Sequence, residues 1–277
     1  MKECTVSRVP VVLIHGWNSH PGIWNRLGPL LADASIPCWT FDHSAMKKAA
    51  VPEIAAALGR YIRSMRDREG YRGPVDMVCH SMGSCIARYF LEVQDGAGRQ
   101  EPVRGLICLG PPNNGSALAE LFNDPCRKDG IIGQLSGVFV PRGFDPGADP
   151  LVQDVRPGSL VMQHLRNAGT RPDIIYRIIV ATNTCEDPAF FPWFLGKTWE
   201  CSGRRAYRAT FEGDGIVPHS ESRLPGIPLD VISVFREPHD PALAPIQYCH
   251  INLPRNPVVM ERILQYLVMP VHDTVTR

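Results

Sequence analysis

The chain lacks the features that mark nucleic-acid-binding and membrane-spanning proteins. Its 277 residues carry 29 Lys and Arg against 28 Asp and Glu, a formal net charge of +1. With no basic stripe and almost no net charge, the sequence gives no electrostatic reason to expect a nucleic-acid partner. Its apolar runs are all too short to cross a bilayer, so we also predict no transmembrane segment. Internal repeats and low-complexity tracts are absent as well.

Cysteine pairs with recognisable spacing are also missing. The nine cysteines form neither an even set nor a C-x-x-C pair, so neither a disulfide framework nor a zinc cluster is predicted. Several lie in apolar segments, which is typical of small buried thiols in a reducing cytoplasm. Cys185 and Cys201 bracket an aromatic segment and could be bridged, although we favour free thiols.

The sequence offers no site for a cofactor. Its glycine-rich stretches do not match a phosphate-cradling loop, and the dipeptide Asp42-His43 has too few ligands for a metal centre. We therefore predict neither a cofactor nor a metal.

The N-terminal region leaves little space for a targeting segment. The sequence passes from Met-Lys-Glu-Cys almost directly into an apolar stretch at residue 9. We accordingly expect no signal peptide and a cytoplasmic protein, or a secreted one if a signal peptide has been removed.

The chain does contain enough apolar residues, 44%, to form one large core. We predict a single α/β domain over residues 1–277, because predicted strands and helices alternate in a way that favours right-handed crossovers and a mostly parallel sheet. The clearest helix is predicted over residues 52–65, with Pro52 at a favoured first position and an apolar stripe at helical spacing. The charged run at 66–70 is interpreted as its solvated end.

The most informative segment is VDMVCHSMG at residues 75–83. An apolar strand breaks there into a turn with Ser81 at its apex, followed by a helix of small residues, which is how a serine nucleophile is displayed. The segment departs from the pattern G-x-S-x-G because Cys79 replaces the first glycine; Gly83 is retained. On its own, H-S-x-G fits an ordinary strand-to-helix turn equally well, so other segments must decide.

One such segment lies upstream, where an aliphatic run at residues 9–14 ends in His-Gly-Trp-Asn. This pattern predicts a buried parallel strand that opens into a loop. A tetrahedral oxyanion needs two N–H donors, and we assign the backbone N–H groups of Trp17 and Met82 to that role. The alternative is a plain turn. His15 and His80 flank the predicted site and are interpreted as hydrogen-bonded structural residues.

With these segments in place, the chain resembles the α/β-hydrolase superfamily and, within it, the bacterial lipases and esterases. The segments VVLIHGW, VDMVCHSMGSCIARYFL, GLICLGPPNNGS, GDGIVPHSESRLPG and CHINLP occur in that family's order. The resemblance covers nearly the whole chain. It implies a mostly parallel central sheet with helices on both faces, a lid or cap insertion, and a Ser-Asp-His triad in that chain order.

The resemblance directs attention to a carboxylate after a late strand, and Asp214 fits this description. It lies between two glycines, after a predicted strand at residues 206–211. The alternative is a turn-forming Asp-Gly pair, which would be favoured if Ser81 were not present. Glu212 is close, but its side chain would point to the other side of an extended segment.

The base should follow the last strand, which we predict at residues 228–235. Three histidines qualify by position: His239, His250 and His272. We favour His250, because the amphipathic stretch at residues 258–267 would anchor the loop that carries its ring. His239, in a proline-rich and predicted surface loop, is the alternative.

Two segments outside the predicted sheet are expected to determine the substrate specificity. The first, residues 117–170, is too long for a simple connection and is interpreted as a lid or cap. The second, residues 185–201, is an aromatic loop. We predict that both form an acyl pocket and that an exposed apolar patch there could contact lipid aggregates; the alternative is that they fill a hydrophobic seam. The predicted substrate-binding residues are Phe139, Phe190, Phe191, Trp193 and Phe194.

Three functions from different classes remain. The leading one is a carboxylic ester hydrolase, a lipase or esterase, that cleaves short- to medium-chain acyl esters of small molecules or lipids through an acyl-enzyme. The second is a thioesterase or acyltransferase with the same triad. The third is a catalytically silent binding protein on the same scaffold, against which the complete set Ser81, Asp214 and His250 argues.

Overall fold

The computed structural model describes residues 9–203, 206–234 and 241–268. Its strands are β1 (Val11–Ile14), β2 (Cys38–Phe41), β3 (Val75–His80), β4 (Val103–Leu109), β5 (Ile175–Thr182), β6 (Thr198–Gly203), β7 (Ala206–Thr210) and β8 (Leu229–Ser233). Its α-helices are α1 (Leu27–Asp33), α2 (Val51–Glu69), α3 (Met82–Arg88), α4 (Ala117–Leu121), α5 (Lys128–Leu135), α6 (Pro150–Asp154), α7 (Leu160–Ala168), α8 (His219–Ser222) and α9 (Pro257–Val268).

Six strands form a wholly parallel sheet in the order β2-β1-β3-β4-β5-β8. Both β1 and β3 are buried along their whole length, as strands covered on two faces must be. The last strand was predicted over residues 228–235; it runs from Leu229 to Ser233, and residue 235 lies outside the described residues. The prediction of a mostly parallel α/β sheet is confirmed.

The strand order places the ends of β1 and β3 next to each other. Ile14 pairs in register with Cys79, so the segments that follow the two strands leave the same edge of the sheet. The chain turns to one side of β1 to form β2 and to the other side to form β3. Loops that diverge in this way open a crevice, and ligands of open parallel sheets bind in such a crevice.

Helix α2 is longer than predicted. It begins at Val51, where the Glu53 carboxylate accepts the Ala50 N–H at 2.8 Å, and ends at Glu69, directly before Gly70 with its left-handed φ of 61°. The sequence predicts a solvated helix end at 66–70, but Arg66 is buried. Its guanidinium donates to the carbonyl of Pro102 at 3.0 Å and lies 2.9 Å from the Glu101 carboxylate, so this end of the helix is tied to the strand region of β4.

Strands β6 and β7 form an antiparallel hairpin outside the parallel sheet. The strand predicted at residues 206–211 therefore exists, but the sheet strand that comes before Asp214 along the chain is β5. Most side chains of β7 are exposed or half-buried, a pattern that does not suit a strand inside a parallel sheet covered by helices.

The insertion predicted at residues 117–170 connects β4 to β5 and holds α4, α5, α6 and α7. Over the described part of the chain, none of the helices has the length and apolar character needed to span a membrane.

Candidate active site

Ser81 lies at a sharp turn between β3 and α3. Its backbone has φ 54° and ψ −128°, a conformation that costs a residue other than glycine about 1–3 kcal/mol. Helix α3 then passes so close to β1 that a Cβ at Gly83 would lie 2.5 Å from the carbonyl oxygen of His15 and 2.8 Å from that of Ile14. Any side chain at position 83 would push the helix away, which explains the glycine there.

Cys79, the residue that departs from G-x-S-x-G, is fully buried. It pairs in register with Cys108 of β4, and burial raises the pKa of its thiol well above the ordinary value. Cys79 is thus a neutral core side chain, and the turn at Ser81 forms without a glycine at this position.

The His250 ring lies directly beside Ser81. Its Nε2 is 2.8 Å from Ser81 Oγ, and the whole ring is buried. His250 begins a 3₁₀ turn (His250–Arg255) that leads into α9. His80 Nε2 donates to the His250 carbonyl at 2.9 Å, which helps to fix the loop. The two other histidines considered from the sequence, His239 and His272, lie outside the described residues.

Asp214 lies on the far side of the His250 ring. Its Oδ2 is 2.7 Å from His250 Nδ1, while Oδ1 accepts the N–H groups of Ile216 at 3.0 Å and Val217 at 2.7 Å. The Asp214 carbonyl also accepts the His250 N–H at 2.8 Å. The carboxylate is buried and held at both oxygens, so it can orient the imidazole. Glu212, by contrast, is exposed.

Gly110 is a residue of this site that sequence reasoning missed. It follows β4 with φ 52°, and a Cβ there would lie 2.5 Å from Asp214 Oδ2 and 3.1 Å from His250 Nδ1. A side chain at position 110 would occupy the space in which the carboxylate meets the ring. The available signal was a glycine directly after a buried strand, where close approach of another group is common.

Trp17 and Met82 lie beside Ser81, since all three line one cavity. Met82 is the first residue of α3, where an N–H has no partner within the helix. Gly16 packs against Ser81, since a Cβ at Gly16 would lie 2.9 Å from Ser81 Cβ, and Trp17 follows it. Within the described ranges, the Trp17 N–H donates to no backbone or side-chain acceptor. Two such free donors beside a nucleophile can stabilise a developing oxyanion.

His15, His43 and His80 support this edge of the sheet. The rings of His15 and His43 stack with their centroids 3.8 Å apart. His15 Nδ1 donates to the Gly16 carbonyl at 3.0 Å, and its Nε2 accepts the His43 N–H at 3.2 Å. Burial lowers the pKa of His15, lowers that of His43 to about 4, and holds that of His80 well below its ordinary value. All three are thus neutral, hydrogen-bonded residues near neutral pH.

A small apolar cavity of about 40 Å³ opens beside Ser81. The insertion supplies much of its wall, and Phe139 also packs edge-on to the His250 ring, with centroids 6.0 Å apart, and against Trp17 at 5.4 Å. The structure therefore brings Phe139 to the site. The other apolar residues that line the cavity include Leu118, Ala119, Phe122, Val152, Val155, Ile216 and Val217.

The aromatic loop does not line this cavity, and the sequence-based expectation that it forms the acyl pocket needs correction. Phe190 and Phe191 are fully buried, and Phe194 is nearly so. A Cβ at Gly215 would lie 2.5 Å from Phe191 Cγ, so the ring packs behind the loop that carries Asp214. Trp193 packs on Phe191 at 5.0 Å.

These aromatic side chains thus fill a hydrophobic seam, the alternative considered from the sequence. The two cysteines that bracket the segment, Cys185 and Cys201, are free thiols.

A buried polar network links α3 to the Asp214 region and was not predicted. Arg88 and Glu92 form an ion pair at 2.8 Å, with both side chains almost fully buried. Arg88 also donates to Asn113 Oδ1 at 3.2 Å, and Asn113 Nδ2 donates to the carbonyl of Ser222 at 2.7 Å. The network therefore runs from the helix after Ser81 to the helix that follows Asp214.

Comparison with known proteins adds independent evidence on the fold. A family model described as the alpha/beta hydrolase fold matches residues 9–127. A search among curated proteins finds no match. Bacillus licheniformis lipase BlEst2 in mature form is a similar solved structure, with 17% identity, a TM-score of 0.66 and coverage of 95% of this chain and 94% of that chain.

Two further structures are similar at comparable identity. Legionella pneumophila phospholipase PlaB has 18% identity and a TM-score of 0.58, with 94% of this chain and 60% of that chain covered. Paleococcus ferrophilus monoacylglycerol lipase has 16% identity and a TM-score of 0.51, with coverage of 94% and 95%. The parallel strand order, the turn at Ser81 and these likenesses together identify the chain as a protein of the α/β-hydrolase fold.

Proposed function

We propose that this protein is a carboxylic ester hydrolase, a lipase or esterase, that acts through an acyl-enzyme on Ser81. One observation carries the proposal. Ser81 Oγ, His250 and Asp214 form a continuous chain of short contacts, 2.8 Å and 2.7 Å, inside the protein and at the mouth of an apolar cavity. This constellation is the one that makes a serine hydroxyl nucleophilic.

In the acylation step, Ser81 Oγ attacks the ester carbonyl carbon while His250 Nε2 takes the hydroxyl proton. His250 Nδ1 carries its own proton toward Asp214, which holds the ring in that tautomer and stabilises the imidazolium. The carbonyl oxygen becomes negative and accepts hydrogen bonds from the Trp17 and Met82 N–H groups. The tetrahedral intermediate then collapses with cleavage of the bond to the alkoxy oxygen. His250 protonates this oxygen, so an alcohol departs and an acyl ester of Ser81 remains.

In the deacylation step, a water molecule takes the place of the alcohol. His250 removes a proton from the water as its oxygen attacks the acyl carbon, and the same two N–H groups stabilise the second oxyanion. The intermediate releases Ser81 Oγ, which recovers its proton from His250. The acid leaves, and the enzyme is restored.

The apolar cavity supports an acyl chain as the part of the substrate nearest the serine. Its walls are mostly aliphatic and aromatic, and its small volume limits the length of the acyl chain that it can enclose. Among the structurally similar proteins, BlEst2 is described as a lipase and PlaB as a phospholipase, and both descriptions fit an ester of a fatty acid.

We extend the proposal to the insertion at residues 117–170, as a lid or cap that can meet a lipid surface. Phe122, Phe139, Val152 and Val155 of this segment line the cavity. Two neighbouring apolar side chains, Val138 and Phe144, are more than one-third exposed. An apolar patch over a lipid-binding cavity suits contact with aggregated substrate.

The proposal can be tested with p-nitrophenyl esters of increasing chain length and a fluorophosphonate that labels activated serines. We expect the wild type to hydrolyse the short and medium esters and to be labelled at Ser81. Ser81→Ala and His250→Ala should each lower kcat by roughly 10³-fold or more, with a smaller change in KM, because each removes an essential part of one unit. Full activity of folded Ser81→Ala would overturn the proposal.

An acyl-CoA thioester and an added alcohol test the acceptor in the same assay. Preferred turnover of the thioester would assign a thioesterase, and transfer of the acyl group to the alcohol in place of water would assign an acyltransferase. Absence of both labelling and turnover would favour a binding protein on this scaffold.

A further inference from the structure

A second and larger cavity adjoins the first and is not used by the chemistry described above. Its volume is about 290 Å³. Trp17 lines both cavities, whereas Ser81 lines only the smaller one. The larger cavity lies between the loop after β1, the loop after β2 and the part of the insertion around Phe144 and Leu151. A substrate bound at Ser81 is therefore next to two spaces. One is apolar, the other is wider, and both are lined by Trp17.

The larger cavity differs from the smaller one in chemistry. Hydrogen-bonding side chains from the two loops line it, and the stacked and neutral His15 and His43 form one of its walls. Phe144, Met46 and Leu151 add apolar surface. The polar lining residues that can donate hydrogen bonds are Asn18, Ser19, Ser44 and Lys47.

Lys47 and Asp149 are the two charged side chains that line this cavity, and only Lys47 is without a hydrogen-bonding or ionic partner among the described residues. Over the described part of the chain, no carboxylate oxygen lies within 4.0 Å of its ammonium group. The carboxylate of Asp149 in the cavity wall and that of Asp42 next to His15 already have other contacts. Asp149 Oδ1 accepts the Leu151 N–H at 2.8 Å, and Asp42 Oδ1 accepts the Ser44 N–H at 2.8 Å and lies 3.4 Å from His15 Nε2. An unpaired ammonium group among hydroxyl and amide donors attracts an anion.

We propose that the larger cavity binds the negatively charged head group of the substrate, a phosphate monoester or similar anion, while the acyl chain occupies the apolar cavity beside Ser81. This inference rests on the proposed esterase function. Trp17 contacts both parts of this substrate. Its backbone N–H faces the reacting carbonyl, and its indole separates the acyl chain from the head group. Lys47 is the specificity-determining residue, and the preferred substrate is an anionic lipid ester with a single short or medium acyl chain.

The chain provides a matched control one residue away. Lys48 is also exposed but does not line this cavity; it lies with Glu53 and Arg60 of α2 in a shallow depression on the other side of Met46, which lines both spaces. Replacement of either lysine removes one positive charge from the same loop. A general attraction between a basic surface and an anionic lipid would respond to both substitutions alike, whereas a site would respond only to Lys47.

The test compares 1-octanoylglycerol with 1-octanoylglycerol 3-phosphate, which share their acyl chain and differ in charge. We expect a higher kcat/KM for the phosphate. Lys47→Ala should lower kcat/KM for the phosphate by roughly three- to tenfold and leave the neutral ester unchanged. Lys47→Glu should reverse the preference, and Lys48→Ala should change neither substrate. Equal effects of Lys47→Ala and Lys48→Ala, or no effect of either on the phosphate, would overturn the inference.

Two additional measurements separate this inference from the proposed esterase function. Turnover of the neutral ester with no response to Lys47→Glu leaves the esterase intact and removes the head-group site. If neither ester is turned over, calorimetric binding of octyl phosphate still decides the matter: binding that weakens in Lys47→Ala but not in Lys48→Ala supports the site, and equal binding overturns it. Inhibition by inorganic phosphate that depends on Lys47 would show that the phosphate group is recognised without a lipid tail.

Discussion

Gly110 is a residue without a functional group that nevertheless controls the geometry around the candidate triad. Its missing side chain leaves the space in which Asp214 Oδ2 approaches His250 Nδ1. The same residue donates its backbone N–H to the carbonyl of Ile179 at 2.9 Å. Position 110 is therefore fixed by the sheet and cannot move aside to accommodate a Cβ.

We predict that Gly110→Ala lowers kcat by roughly 10²-fold, because a displaced carboxylate or ring misaligns the proton transfer. Gly70→Ala is the matched control. Gly70 also has a left-handed backbone, φ 61°, but open space around its Cβ position, so we expect a stability loss of about 1–2 kcal/mol and normal kcat. Ester hydrolysis and thermal unfolding of both variants test this. If Gly110→Ala retains wild-type kcat, the close approach has no functional importance.

Local sequence could identify Ser81 but not Gly110, and the reason is physical. The turn at Ser81 is signalled by its own strand and helix, within about ten residues. The role of Gly110 depends on Asp214, which is distant along the chain and meets it only in the folded protein. The burial of Arg66 could not be predicted for the same reason, because its partners Glu101 and Pro102 lie in the segment before β4, far from Arg66 along the chain.

At the level of elements, the insertion and the aromatic loop have different roles. The sequence predicts that both segments are apolar and irregular. Apolar composition predicts that side chains are buried, but it does not identify the part of the protein against which they pack. The structure brings Phe139 of the insertion to the cavity beside Ser81. It packs Phe191 of the aromatic loop against the backbone near Asp214. In the antiparallel hairpin next to that loop, β7 was predicted as a strand, but β6 and its pairing with β7 were not, because the largely exposed residues lack a clear alternating pattern.

We therefore predict that Phe139→Ala shifts the preferred acyl chain length upward, since it enlarges the cavity. Phe191→Ala should leave the ranking of chain lengths unchanged, but it should cost about 3–5 kcal/mol of stability, as expected for a buried aromatic side chain. Relative kcat/KM values over an ester series, together with urea unfolding, test both statements. A change of chain-length ranking in Phe191→Ala with none in Phe139→Ala would reverse these assignments.

The helix after Ser81 ends at Arg88 and continues into a π-helical turn (Tyr89–Gln94), and Arg88 forms a buried ion pair with Glu92 of that turn. We predict that Arg88→Leu lowers the free energy of unfolding by about 3–5 kcal/mol, because Glu92 is left as an uncompensated buried charge. Arg88→Leu combined with Glu92→Leu should be less destabilised than Arg88→Leu alone. Arg72→Leu, in the exposed pair with Asp67, should change stability by less than about 1 kcal/mol. Equal losses for Arg88→Leu and Arg72→Leu would contradict this account.

For the whole molecule, the parallel sheet places several neutral histidines at one buried edge. His15 follows β1, His43 follows β2, and His80 ends β3, so the strand order brings the three to the crevice between the diverging loops. Burial lowers the pKa of each. The crevice that holds the candidate triad is therefore also a place where protonation of these three rings opposes folding.

The sign of this effect follows from proton binding. The pKa of His43 falls from 6.5 to about 4 on folding, so between these values the unfolded chain binds a proton that the folded chain does not. The contribution of His43 to stability is fully present above about pH 6.5 and is lost as the pH falls toward 4, by up to about 3 kcal/mol. His15 and His80 act in the same direction.

We predict that the free energy of unfolding of the wild type falls between pH 7 and pH 4.5, and that the fall is smaller in His43→Gln. The substitution removes the titrating ring while its amide can still donate to the His15 carbonyl, as His43 Nε2 does at 3.0 Å. Chemical denaturation at pH 8, where the imidazoles are neutral, measures the cost of the lost packing. The difference between pH 8 and pH 4.5 then isolates the protonation effect. If wild type and His43→Gln lose stability in parallel over this range, His43 does not carry the acid sensitivity.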